Sequence, residues 1–323
     1  MITDNEVLQA QEALEKGTPL DIREMTSGCA ALFTRGYFPW GSLPYPKEHA
    51  ELGSLLLKLG KTDLAHKMAR WQSQTLDHYK RPIFSLFNQE RSCTYKELES
   101  AVLNFLGEAS YTEPLGLFSD SELGLVRILN DEETFLSVAS GCKSGMGAHL
   151  FRDVGVINYG PQLLPIGDCA GFGLAGKPRT FSLDGGKVHY QTRLAAPHAR
   201  NTHLPIQDSG YSGLWIEVEQ TMEETICQFD GFRPLNTCAF CFFLKAPAVF
   251  VAGSHKLNPK SLDRYMGPPS TIQLQGGMEL EVLDGATQME IIPLAGDESF
   301  WGADFLASFT LSSPFRFTTR ALR

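Results

Sequence analysis

The sequence predicts an α+β protein in two parts: an antiparallel α-helical part over residues 1–139 and a large antiparallel β-sandwich over 140–323. Three observations carry this. Apolar residues recur at helical spacing through the first third of the chain. After about Ser140 the spacing changes to period two. Turn pairs then punctuate the rest at short intervals: Asp184-Gly185-Gly186, Asp230-Gly231, Gly276-Gly277 and Asp284-Gly285.

The elements follow in order. Val7, Leu8, Ala10, Ala13 and Leu14 share one helical face, and Gly17 supplies a stop. "KEHAELGSLLLKLG" and "KTDLAHKMARWQSQTLDHYK" read as an antiparallel helix pair, with Gly60 ending the first and Thr62 capping the second. Thr94 with Glu97, and Ser119 with Glu122, match the capping box, in which a hydroxyl and a carboxylate satisfy two amides at a helix start. Beyond the small-residue stretch "SVASGCKSGMG" come the strand candidates. "GLWIEVEQT" places Leu214, Ile216 and Val218 on one face and Trp215, Glu217 and Glu219 on the other. "KVHYQTRL", "ETICQFDG", "CAFCFFLK", "AVFVAG", "MELEVLDG", "TQMEIIPLAG", "DFLASFTL" and "FRFTTRAL" extend the set. Many short strands joined by turns favour a sandwich over strands alternating with helices.

Composition narrows the function classes. The 323-residue chain is 43% hydrophobic and 20% charged, an ordinary globular balance. Its formal charge of −9 argues against nucleic acid as a partner, since phosphates need a basic face. No apolar run is long enough for a membrane span. The polar, acidic start carries no signal-peptide pattern, and the seven cysteines form an odd, scattered set. Both point to reduced thiols and a cytoplasmic setting. No protein partner is specified.

Two motifs invite a cofactor and do not earn one. "GFGLAGKPRT" (171–180) fits G-x-G-x-x-G and, up to its last position, the phosphate loop. Such loops hold phosphate only where a helix N-terminus follows. Pro178 lacks the required hydroxyl, and "RTFSL" reads as a strand entering a hairpin. "CAFC" (238–241) has half a zinc pattern but no second half, and strand geometry sends its two cysteines to opposite faces. Buried thiols are the expectation, with no metal and no cofactor.

The densest polar group is "PHARNTHLPIQDSGY" (197–211), with His198, Arg200, Asn201, His203, Asp208 and Tyr211. Lys177, Arg179, Lys187, His189 and Arg193 lie just upstream, and Asp184 is the sole acid between Lys177 and His203. Histidine or tyrosine can act as a base, arginine can clamp an anion, and asparagine can bond a carboxylate without charge. A solvated loop stiffened by Pro197 and Pro205 is the plainer account and stays open. "GYFPWGSLPYP" adds Trp40 and Tyr45 on an irregular segment, placed to stack on a sugar ring or to pack the helices.

Helical hairpins such as "HAELGSLLLKLGKTDLAHKMARWQ", followed by a long all-β half, resemble polysaccharide lyases built from an α/α toroid and a β-sandwich. "HARNTH" is similar to the His-Asn-Thr stretch of the heparinase-type lyases, with Ala199 and Arg200 intervening; the H-x-H-x-D segment of that family is absent. The helical part is short, so the resemblance implies an incomplete toroid. It also implies an acidic oligosaccharide as ligand. Arg193, Arg200 or Asn201 would neutralise a uronate carboxylate, with Trp40 and Tyr45 beside it. His198, His203 or Tyr211 would take the C5 proton and help the glycosidic oxygen leave. A non-catalytic binding or scaffolding protein with the same layout is the competing expectation.

Overall fold

A computed structural model describes residues 11–17, 55, 58–60, 115–121, 124–139, 146–163, 173–174, 178–195, 211–231, 234–294 and 303–323. Among these, seventeen strands occur: β1 (Gly116–Asp120), β2 (Leu125–Leu129), β3 (Glu133–Val138), β4 (Gly147–Phe151), β5 (Val154–Leu163), β6 (Gly173–Leu174), β7 (Thr180–Asp184), β8 (Lys187–Ala195), β9 (Tyr211–Gln220), β10 (Glu224–Gly231), β11 (Cys238–Lys245), β12 (Val249–Val251), β13 (His255–Leu257), β14 (Tyr265–Gly267), β15 (Ile272–Leu274), β16 (Met278–Pro293) and β17 (Phe305–Ala321). The strands belong to one of two compact units of the chain, the one that contains Leu115–Arg323.

All pairings are antiparallel. One sheet runs β1-β2-β3-β4-β5-β11 and continues through the first half of β17 and the second half of β16 to β14. The other runs β7-β8-β9-β10 and continues through the second half of β17 and the first half of β16 to β15, β12 and β13, with β6 also on β8. The two longest strands therefore belong to both sheets, and each folds over at a corner. Register slips there, between Asp284/Arg316 and Ala286/Leu311, because β17 carries extra residues at that point.

The core lies between the two sheets. Tyr159, Phe240, Phe242, Phe309, Phe315 and Phe317 form its aromatic centre: the rings of Phe240 and Phe315 stack at 4.3 Å, and Phe242 meets Phe317 edge-on at 4.9 Å. From the second sheet, Leu214, Ile216 and Val218 of β9 turn inward, and the Gln220 amide donates to the Tyr159 hydroxyl of the first. Burial raises the Tyr159 phenol well above its ordinary value, so it stays neutral.

The expected N-terminal α-helical domain with an incomplete toroid is overturned. The described residues are mostly antiparallel strand; helix is confined to residues 11–16, which do end at Gly17, to a turn closed by the Leu59 amide on the Leu55 carbonyl at 3.0 Å, and to one 3-10 turn at Leu235–Thr237. The sharpest correction is at Ser119. In place of a capped helix, "SDSELGLVRILN" spans the hairpin of β1 and β2, paired from Asp120↔Leu125 to Gly116↔Leu129. Gly124 sits at φ +63 in that turn, and a Cβ there would meet Ala139 Cβ at 2.7 Å. β3 follows directly, so strands begin well before residue 140. The remaining helix candidates between residues 61 and 114 lie outside the described residues.

Further along, the strand expectations match the structure closely. "ETICQFDG" is β10 and "CAFCFFLK" is β11. Asp284-Gly285 has turn chemistry but forms the corner inside β16, so "MELEVLDG" and the first part of "TQMEIIPLAG" are one strand, which ends at Pro293.

Candidate functional site

The outer face of the second sheet is where chemistry collects. Alternation along β8 and β9 sends Val188, Tyr190, Ile216 and Val218 into the core and puts Lys187, His189, Arg193, Trp215, Glu217 and Glu219 outside. Two of the basic groups are matched across the strands: Lys187 with Glu219, and His189 Nε2 with Glu217 Oε1 at 3.0 Å. Contact with Lys187 holds the Glu219 carboxyl below the usual range.

Arg193 adjoins an aromatic ring on this face, and Arg179 reaches the same ring from ahead of β7. Trp215 is half-buried on β9. Arg193 is its register partner on β8, and Asp230 its partner on β10. Arg179, just ahead of β7, lays its guanidinium over the indole at 5.9 Å from the ring centroid. Its backbone amide donates to the Gln191 carbonyl at 2.7 Å, which fixes its root beside β8. The result is a flat apolar ring with positive charge on the β7–β8 side and a carboxylate on the β10 side. An anionic ligand lying on the ring is steered toward the arginines.

A second constellation is buried. His149 Nδ1 meets Thr319 Oγ1 at 2.7 Å, and His149 Nε2 meets Glu133 Oε1 at 2.9 Å. Hydroxyl, imidazole and carboxylate in this order are the parts of an activated nucleophile. Access decides against that role: Thr319 is 5% exposed and His149 1%. Phe135 closes edge-on against the imidazole at 5.9 Å. The chain instead ties β3 and β4 of the first sheet to β17 of the second. Glu133 accepts from His149, and Arg323 approaches its other oxygen at 3.4 Å; the imidazole contact, more than the guanidinium, holds its carboxyl below the usual range.

Of the site residues expected from sequence, the structure places Arg193 beside Trp215, and Tyr211 at the first position of β9, in register with Ala195. His198, His203, Arg200, Asn201, Trp40 and Tyr45 lie outside the described residues. Trp215 was legible as an outward residue through the β9 alternation, and Arg179 as part of the basic group. Their meeting was not, since it depends on how β7 returns to β8. Nothing local marks Glu133, His149 and Thr319, which come from three strands.

The cofactor motifs resolve simply. Strand β7 and its hairpin into β8 follow the glycine stretch, and no helix start occurs there among the described residues. Cys238 and Cys241 are buried on opposite faces of β11; burial pushes the Cys241 thiol far up. Among the described residues no three His, Cys, Asp or Glu side chains cluster as metal ligands, and no helix is long and apolar enough to cross a membrane.

No family model and no curated protein matches the sequence. Among solved structures, the chain is similar to a chondroitin AC lyase from Streptomyces coelicolor at 10% identity and TM-score 0.39, over 91% of this chain and 47% of that one. It is similar to a 4-alpha-glucanotransferase from Thermococcus litoralis at 10% identity and TM-score 0.35, over 98% and 55%. A sulfoquinovosidase of family GH31 from E. rectale overlaps at 10% identity and TM-score 0.29, over 61% and 32%. These are distant likenesses to carbohydrate-active enzymes, and the chain spans about half or less of each of them.

Proposed function

We propose that the protein binds an acidic carbohydrate on the outer face of its second sheet, at Trp215. The observation that carries this is the ring of Trp215, with Arg193 beside it on β8 and the Arg179 guanidinium over it, on the outer face of the second sheet. An indole presents the apolar surface that a pyranose ring stacks on. Guanidinium groups pair with carboxylate or sulfate in a planar, two-pronged way that ammonium groups do not. The neighbouring Gln191 and Asp230 offer partners for sugar hydroxyls.

The test is calorimetric titration of the whole chain with uronate and sulfated oligosaccharides. Trp215→Ala lowers the affinity about tenfold, corresponding to an aromatic contact of about 1.4 kcal/mol. Binding that is unchanged in Trp215→Ala rejects this face as the site.

Lyase chemistry is the second reading. It is favoured by the position of Tyr211, which opens the strand that carries Trp215. In that reading Tyr211, His198 or His203 takes the C5 proton of a bound uronate. Incubation with uronate polymers would then raise ultraviolet absorbance through an unsaturated product. Silence across a broad panel leaves a binding or scaffolding protein.

A further inference from the structure

Resting on the acidic-sugar reading of the Trp215 face, we infer that Arg179 is an exchangeable cover on the indole, and that this cover makes the site select acidic over neutral sugars. The guanidinium lies over the ring at 5.9 Å from the centroid, on the surface a sugar would stack against. Any sugar that stacks on that surface must displace the guanidinium. Arg179 is exposed, and its backbone is anchored to Gln191 while its side chain reaches across β8. The displaced cation therefore stays within reach of whatever takes its place.

The two classes of ligand fare differently. A neutral sugar removes the cation–ring contact and gains no charge partner. An exposed contact of this kind corresponds to about a two- to fivefold factor in an equilibrium constant. An acidic sugar removes the same contact but recovers it, because its carboxylate or sulfate pairs with the displaced guanidinium. Asp230, opposite Trp215 on β10, repels an anion and so sets the direction in which an acidic sugar lies, its charge toward Arg179. Arg193, fixed in the strand on the near side, attracts both before and after exchange and so does not discriminate by displacement. Discrimination by an obstacle that only one ligand converts into a partner requires no extra pocket.

The prediction is a reciprocal one. Wild type, Arg179→Ala, Arg179→Gln and Trp215→Ala are titrated at low salt with a linear tetra-uronate and with a neutral tetrasaccharide of the same linkage. Both Arg179 variants should bind the uronate several-fold more weakly and the neutral sugar about two- to fivefold more tightly than wild type. A neutral-sugar affinity that falls or stays level in both variants overturns the cover, even if uronate binding also falls, because that pattern describes an ordinary contact. Failure of the underlying reading looks different: Trp215→Ala then matches wild type toward both sugars, or neither sugar binds any of the four proteins.

Discussion

Glu133 shows what a single buried carboxylate contributes here. Its hydrogen bond from His149, and the nearby Arg323, hold it ionised below the ordinary value of 4.5. A depressed folded-state pKa stabilises the protein above the unfolded value, and that stability is lost as pH falls through the folded value. Urea midpoints of the wild type should therefore fall as pH drops below about 4.5. Glu133→Gln should be less stable at neutral pH and should flatten this acid limb; an unchanged limb would assign the acid sensitivity to other carboxylates. At this scale the sequence was a partial guide. The alternation of β9 put Trp215 outward and Leu214, Ile216 and Val218 inward, and each lies where period two sends it. The Glu133–His149–Thr319 chain was invisible, since 16 residues separate its first two members and 170 its last two. Only sheet packing brings them within bonding distance.

At the scale of elements, the corner in β16 and β17 is the feature that turns two long strands into members of both sheets. Gly285 holds φ +83 there, and a Cβ at that position would sit 2.2 Å from the Pro314 carbonyl oxygen. Backbone cannot yield as a flexible side chain would. Gly285→Ala should cost about 1–3 kcal/mol or more in chemical denaturation, read as a lowered urea midpoint with an unchanged slope. A neutral substitution would mean that the strands can bend elsewhere. The same element shows how a local signal misleads. Asp284-Gly285 has turn chemistry, and a turn was expected; the chain uses the glycine's freedom to bend a strand that goes on. Ser119 and Glu122 misled in the opposite direction. A capping box and a short apolar run suit a helix start, yet "LVRIL" is equally a buried strand, and pairing with β3 decides it.

For the molecule as a whole, stability rests on the aromatic layer between the sheets. Phe242 is fully buried and touches Tyr159, Phe240, Phe309, Phe315 and Phe317. Phe242→Ala should destabilise by about 3–5 kcal/mol, measured by denaturant unfolding, because both sheets lose contacts and neither can move in to fill the space. A loss under about 1 kcal/mol would mean that the layer repacks. The sequence by itself determined the pleated texture of the second half, which residues of β9 face inward, and the strand that runs from "RTFSL" into a hairpin. Those properties follow from nearest-neighbour sterics and side-chain alternation, which are local. Only the tertiary structure decided that Gly116–Asp120, Leu125–Leu129 and Glu133–Val138 are strands, that β16 and β17 serve both sheets, and that Arg179 rests on Trp215. Each of these depends on hydrogen bonds or contacts between segments distant in the chain, and no short window of sequence contains both partners.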